Sequence, residues 1–233
     1  MTMPASQYVF TPVPVVSLPV SDSPQRFPVG RVLCIGRNYP WPGAPAERSS
    51  EPPFFMKPAS AVVEAQGEIV YPPATQSFCH EVELVVAIGK PGAGIAEGVA
   101  LDHVWGYGVG LDLTRRDLQL QAKSAGMSWE AAKVFDGAAP ISALTPVARV
   151  GHPQRGAIWL TLNGEQRQCG DLDQQLWSVA ELIAHLSCLM PLRAGDLIMT
   201  GTPPGVAELQ PGDRVEAGID GIAQLHMRVV NRP

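Results

Sequence analysis

Apolar positions along this chain fall in short runs punctuated by glycine and proline. Runs at 32–35, 54–56, 83–88, 158–162, 196–200 and 224–230 are rich in β-branched residues and read as strands. Helical periodicity is scarcer. The spacing predicts a helix over 115–125 with Thr114 as its N-cap. A second helix is predicted over 177–188, where Ser178 and Glu181 stand as in a capping box. A shorter helix is expected around 96–100. Residues 1–29 form a proline-rich lead-in. Its alternation over 13–20 predicts a small edge strand, followed by a turn around 21–26. The main domain is expected over 30–233. The proline-rich stretch 40–53 suits neither regular helix nor central strand and reads as a surface loop. Many strands with few helices predict a β-rich α+β domain rather than a regular βαβ fold.

One run carries an anomaly. In Cys79-His80-Glu81-Val82-Glu83-Leu84-Val85-Val86-Ala87-Ile88-Gly89, two carboxylates sit in what otherwise reads as a buried strand. Side chains two apart on a strand share a face, and burying two unpaired anions would cost several kcal/mol. A hard divalent cation with oxygen ligands would resolve that conflict. A pair of exposed glutamates on a half-solvated strand is the alternative. His80 alternates to the other face and reads as a packed, hydrogen-bonded histidine. A third carboxylate, Asp112, ends the apolar stretch 106–113 just before the predicted helix. Three carboxylates with water would suit Mg²⁺ or Mn²⁺; alone, Asp112 reads as an ordinary aspartate near a helix N-terminus.

Composition narrows the function classes. The 233 residues are 45% hydrophobic and 17% charged, with a net charge of -5, as in a soluble globular protein. No basic block or stripe appears, which argues against nucleic acid as partner. No apolar run is long enough to cross a membrane. Nor does the N-terminal stretch look like a signal peptide, so a cytoplasmic location is expected. Cys34, Cys79, Cys169 and Cys188 are scattered and predict neither a zinc site nor a disulfide framework; each is expected to be a small buried hydrophobe.

His80-Glu81-Val82-Glu83, with Leu111-Asp112-Leu113-Thr114 and Arg116-Asp117 downstream, resembles the fumarylacetoacetate hydrolase family. Further matches are Gly36-Arg37-Asn38-Tyr39, Phe55-Met56-Lys57-Pro58, Ala132-Lys133-Val134-Phe135-Asp136, Leu162-Asn163-Gly164 and Thr200-Gly201-Thr202-Pro203. They run in order from about residue 30 to the end, and the chain looks most like the bacterial fumarylpyruvate hydrolases and related acylpyruvases. The resemblance implies a mixed β-sandwich roll with few helices, a homodimer, and Mg²⁺ or Mn²⁺ held by Glu81, Glu83 and Asp112. It implies cleavage of a carbon–carbon bond in a small keto-acid substrate of the fumarylpyruvate type, with the metal as Lewis acid for the departing pyruvate enolate. Arg37, Arg116, Gln119, Lys133 and Thr202 would bind substrate, Thr202 by offering its hydroxyl to the pyruvoyl carboxylate. Lys133 would also neutralise developing oxyanion charge. Lys57 would support the site or cap a strand, and Asp117 and Asp136 would orient a cation or simply be solvated. Taken singly, Arg116 and Lys133 read as surface cations and Gln119 as an exposed helix glutamine.

The chain departs from the pattern of the family it resembles between Tyr39 and Glu47. Family acylpyruvases carry a histidine and a glutamate on a short helical lid, and these activate water. Here Pro42 and Pro45 stand at those positions. Hydrolysis would then use Glu47, or metal-bound water, as base. Two alternatives follow: a decarboxylase or isomerase of an oxaloacetate-like acid, or a non-catalytic metal- and ligand-binding homodimer.

Overall fold

The computed structural model describes residues 8–43 and 48–232. Two sheets dominate. The larger runs, in spatial order, Phe54–Pro58, Arg31–Ile35, Asp196–Met199, Val82–Ile88, Val104–Leu111, Ala139–Ile141 and Val62–Glu64, with Thr145–Pro146 also paired to Val104–Leu111. The smaller orders Glu165–Asp171, Ala157–Leu162, Arg214–Ile219, Ala223–Val230 and Gln66–Val70. Parallel and antiparallel pairings occur in both. The β-rich mixed roll that the resemblance implied is the observed architecture.

Strand Val82–Ile88 explains why its sequence shows no alternation: every one of its residues is buried. Val82, Leu84, Val86 and Ile88 face a core shared with the smaller sheet and with the helix Val179–Leu189, through residues such as Leu160, Val215 and Leu182. Val85 and Ala87 face a second core, closed by Leu18, Val20, Phe27 and Val29. Those four belong to the lead-in, where Ser17–Pro19 pairs with Arg26–Pro28 as an antiparallel hairpin. The predicted edge strand is thus half of a hairpin that covers a sheet face. A strand covered on both faces needs apolar residues at every position, and truncating a residue such as Leu84 to Ala costs about 2–5 kcal/mol.

The strand Val104–Leu111 places glycine at alternate positions for a steric reason. A Cβ on Gly106 would lie 2.5 Å from the Thr145 carbonyl oxygen, and one on Gly110 would lie 2.9 Å from a Val85 methyl. Tyr107, Val109 and Leu111 fill the opposite face.

Helices differ from expectation in detail. Val179–Leu189 starts with the capping box, Ser178 accepting from the Glu181 amide and Glu181 from the Ser178 amide. The helix Arg116–Ser124 begins one residue late, and Thr114 does not cap it. Thr114 instead pairs with Cys79 in a two-residue ladder, and its hydroxyl is engaged elsewhere. The segment expected as a helix at 96–100 is a 3₁₀ stretch, Glu97–His103. Cys34 and Cys79 are buried as expected, whereas Cys169 and Cys188 are exposed. Among the described residues, no helix is long and apolar enough to cross a membrane.

Candidate active site

Register brings the three carboxylates together. Strands Val82–Ile88 and Val104–Leu111 pair antiparallel with Val82 opposite Leu111 and Glu83 opposite Gly110. The ladder continues one step, the Asp112 amide donating to the Glu81 carbonyl at 2.8 Å. Glu81, Glu83 and Asp112 therefore share one face, each offering an oxygen within 4.8 Å of the others. All three are buried, at 8%, 2% and 1% exposure. Exposed glutamates on a solvated strand are excluded.

Two lysines sit inside this cluster. The Lys133 ammonium lies 2.9 Å from Glu81 and 2.7 Å from Asp112. The Lys57 ammonium lies 2.9 Å from the other Asp112 oxygen. It also donates to the carbonyls of Leu113, Lys133 and Ala138, so Lys57 is a support beneath Asp112. Breaking a buried pair from one side costs about 3–5 kcal/mol because the other charge is stranded. Neighbouring donors fix the carboxylates further: the Thr114 hydroxyl donates to Glu81 at 3.0 Å and the Gly201 amide to Glu83 at 2.7 Å. Gly201 has φ +96°, and a Cβ there would meet Asn38 Cβ at 2.7 Å, so only glycine brings its amide this close.

The charges are unevenly answered. Burial pushes the Asp112 carboxyl up, but Lys133 and Lys57 outweigh it and hold Asp112 below its ordinary range. Burial pushes Glu83 well above its ordinary range, and the anions Asp112 and Glu81 add to that. Among the described residues Glu83 has no ammonium within ion-pair distance. Burial alone would lower Lys133; Asp112 and Glu81 raise it instead. With all three carboxylates ionised, two ammonium groups leave one negative charge uncompensated. An all-oxygen set with that residue of charge, built on rigid strands, fits a hard divalent cation such as Mg²⁺ or Mn²⁺.

The cluster forms the inner wall of a cavity of about 450 Å³, which Arg37, Tyr39, Trp41, Phe55, Arg116, Gln119, Leu120, Lys123, Trp129, Lys133 and Thr202 also line. One helix face supplies Arg116, Gln119, Leu120 and Lys123, spaced as neighbours on a helix should be. Arg116 donates to the Gln119 side-chain oxygen at 2.6 Å, and Gln119 is buried rather than exposed. Arg37 reaches the cavity from a residue with φ 55°. Thr202 lines the cavity, but its hydroxyl donates to the Val82 carbonyl at 2.7 Å, not outward. Among the described residues Asp117 has no cation within ion-pair distance; it accepts from Thr75 and the Gln76 amide and pins that loop. His80 turns away from the cluster to Gln168, at 2.8 Å. Glu47 and Pro45 lie outside the described residues. Just beyond them, Arg48 pairs with Glu181 at 2.8 Å and stacks 3.3 Å from the centroid of the Trp177 ring.

Sequence reasoning missed three supporting residues. Asn38 bonds to the Trp177 and Thr200 carbonyls and the Trp177 amide, tying the start of the proline loop to the sheet. Gln168 and Gly201 act from distant segments. Lys57 alone left a signal, as a cation inside the apolar run Phe54–Pro58.

Known proteins resemble this chain over most of its length. Residues 31–230 match the model of the fumarylacetoacetate hydrolase C-terminal domain. A fumarylpyruvate hydrolase from Ralstonia sp. is 41% identical over 188 residues, covering 80% of this chain and 97% of the relative. The mitochondrial oxaloacetate tautomerase FAHD1 of Mus musculus is 39% identical, covering 85% of this chain and 90% of that one. The crystal structure of a fumarylpyruvate hydrolase from Pseudomonas aeruginosa, in complex with Mn²⁺ and pyruvate, superposes with a TM-score of 0.94 at 47% identity. It covers 97% of this chain and 100% of that one. The chain belongs to the fumarylacetoacetate hydrolase family.

Proposed function

We propose that this protein is a metal-dependent hydrolase that cleaves an acylpyruvate of the fumarylpyruvate type into pyruvate and a carboxylic acid. The observation that carries the reading is the buried triad Glu81, Glu83 and Asp112 opening onto a cavity rimmed by Arg37, Arg116 and Lys123. The named activity of the Ralstonia relative and the Mn²⁺ and pyruvate in the Pseudomonas structure support it.

When bound, Mg²⁺ or Mn²⁺ supplies Lewis acidity at the triad. The protein's own residues do the rest. Thr114 and Gly201 hold the Glu81 and Glu83 carboxylates in place. Lys133, on the cavity wall, favours negative charge developing on substrate oxygen. Arg37 and Arg116 attract substrate carboxylates, with Gln119 aligning Arg116. Water adds to the acyl carbonyl, the bond from that carbon to C3 of the pyruvoyl unit breaks, and C3 keeps the electron pair and takes up a proton. Glu47 is the base we assign to deprotonate the water. A cytoplasmic homodimer with a small keto acid as its ligand completes the reading.

A second reading, keto–enol tautomerisation of an oxaloacetate-like acid, draws on one feature. Among the described cavity-lining residues, no carboxylate or imidazole stands outside the triad. Tautomerisation needs no hydrolytic water, and the mouse relative carries that activity in its name. The two separate in one ultraviolet assay with Mg²⁺ or Mn²⁺. Pyruvate release from fumarylpyruvate supports the hydrolase; exchange of enol and keto oxaloacetate without acylpyruvate loss replaces it. Glu47→Ala should lower hydrolysis by about 10²-fold or more; full activity would remove that residue as base.

A further inference from the structure

Gln168 reaches from the smaller sheet into the wall of the cavity and is fully buried. Its amide oxygen accepts from the Val82 amide at 3.1 Å, and its amide nitrogen donates to the Pro203 carbonyl at 2.7 Å. Those two backbone groups fix the amide's direction: flipping it would set donor against donor and acceptor against acceptor. The remaining amide hydrogen points at the Thr202 hydroxyl, 2.7 Å away. Thr202 must therefore accept there, and its single hydrogen goes to the Val82 carbonyl at 2.7 Å. A hydroxyl has one hydrogen and two lone pairs. With the hydrogen and one lone pair committed, the oxygen has one lone pair left, on a residue that lines the cavity.

We propose that Gln168 is a positioning residue that locks the Thr202 hydroxyl as a hydrogen-bond acceptor toward the cavity, so that Thr202 recognises an O–H donor and not a carboxylate or keto oxygen. Within the reading of the site as an acylpyruvate hydrolase, on which this rests, two molecules bring such a donor: the enol form of the substrate and the attacking water. A carboxylate placed against that lone pair would be repelled. The expectation that Thr202 holds the pyruvoyl carboxylate through its hydroxyl is replaced by its opposite in sign.

The test uses the full-length, Mn²⁺-loaded protein, with oxalate as a probe that only accepts hydrogen bonds at neutral pH. Calorimetry of oxalate binding to Thr202→Val should give a dissociation constant within about twofold of the parent, because no donor has been lost. A tenfold weakening would show that the hydroxyl donates to carboxylate and would overturn the proposal, whatever the turnover. In the same variant, acylpyruvate turnover should fall by about 10- to 100-fold, and Thr202→Ser should recover most of that loss. A loss carried by KM identifies the enol as the donor; a loss in kcat at constant KM identifies water. Unchanged turnover in Thr202→Val would also overturn the proposal. Gln168→Glu, which cannot donate to Thr202, should reproduce the Thr202→Val loss and add nothing to it in the double variant. Mn²⁺ titration and thermal unfolding of each variant separate this from collapse of the site. If the parent turns over neither acylpyruvate nor oxaloacetate, the functional reading fails, and the oxalate comparison still decides the direction of the hydroxyl.

Discussion

The inner and outer walls of the cavity are built on opposite terms. The inner wall is built where strands end: Glu81, Glu83 and Asp112 meet Lys133 from the helix Glu130–Lys133, with Lys57 beneath, and all five are buried and each is held by at least one named partner. The outer wall joins the helix Arg116–Ser124 to a loop, with Trp41 exposed and no strand or helix between Pro40 and Pro53 among the described residues. The contrast teaches where the chemistry can vary. Removing Glu81, Asp112, Lys57 or Lys133 strands a buried partner charge, and removing Glu83 leaves the Gly201 amide without its acceptor, so the metal-holding part is constrained by stability as well as by function. The described part of the outer loop carries no buried charge, and its ion pair from Arg48 to Glu181 is partly exposed, so substitutions there should leave the fold and the triad in place.

That contrast orders the expected effects. Asp112→Ala should do most damage, stranding both Lys57 and Lys133. Turnover should fall by about 10³-fold or more, and urea unfolding should show a loss of about 3–5 kcal/mol. A fully stable Asp112→Ala protein would mean that the lysines find other partners, and the inner wall would then be no more constrained than the outer. Gly201→Ala comes next. Its positive φ and the contact with Asn38 should cost about 1–3 kcal/mol and weaken Mn²⁺ binding by releasing Glu83, both measurable on one preparation. Arg116→Met should leave stability nearly unchanged and raise KM by about tenfold or more. Pro42→Ala, on the exposed loop, should shift unfolding by no more than about 0.5 kcal/mol. A large destabilisation there would erase the distinction between the walls.

The same asymmetry has a pH signature. Glu83 is pushed up by burial and by its two anionic neighbours, so its folded value lies above its unfolded one. Below that folded value the carboxyl carries a proton that the cation must displace. Metal binding should therefore release protons and weaken as pH falls. Mn²⁺ calorimetry in buffers of different ionisation enthalpy reads the proton directly. Asp112 contributes the opposite sign to folding. Its folded value is depressed, so its stabilisation is present above the ordinary aspartate range and is lost as pH falls through the lowered value.

How far the chain could be read depended on whether a residue's role was local. The triad was readable because two glutamates in an apolar run contradict burial, and because strand alternation puts them on one face. The capping box of Val179–Leu189 was readable for the same local reason. Thr114 was misplaced because a threonine before a helix and a threonine bonded to Glu81 look alike along the chain; only the pairing of Thr114 with Cys79 separates them. Gln168 gave no signal, since its four partners come from segments far away in sequence. Gln119 read as an exposed helix residue because nothing in its own neighbourhood reports that the helix face lines a cavity.

The central claim is that the three buried carboxylates hold the divalent cation on which acylpyruvate cleavage depends. The most direct measurement is pyruvate release by protein stripped with chelator, then titrated with Mn²⁺, for the parent and for Glu83→Ala. The parent should lose turnover on stripping and regain it as one equivalent of Mn²⁺ per chain binds, while Glu83→Ala should neither bind at that stoichiometry nor recover. Turnover that survives stripping, or that is undiminished in Glu83→Ala, would contradict the claim.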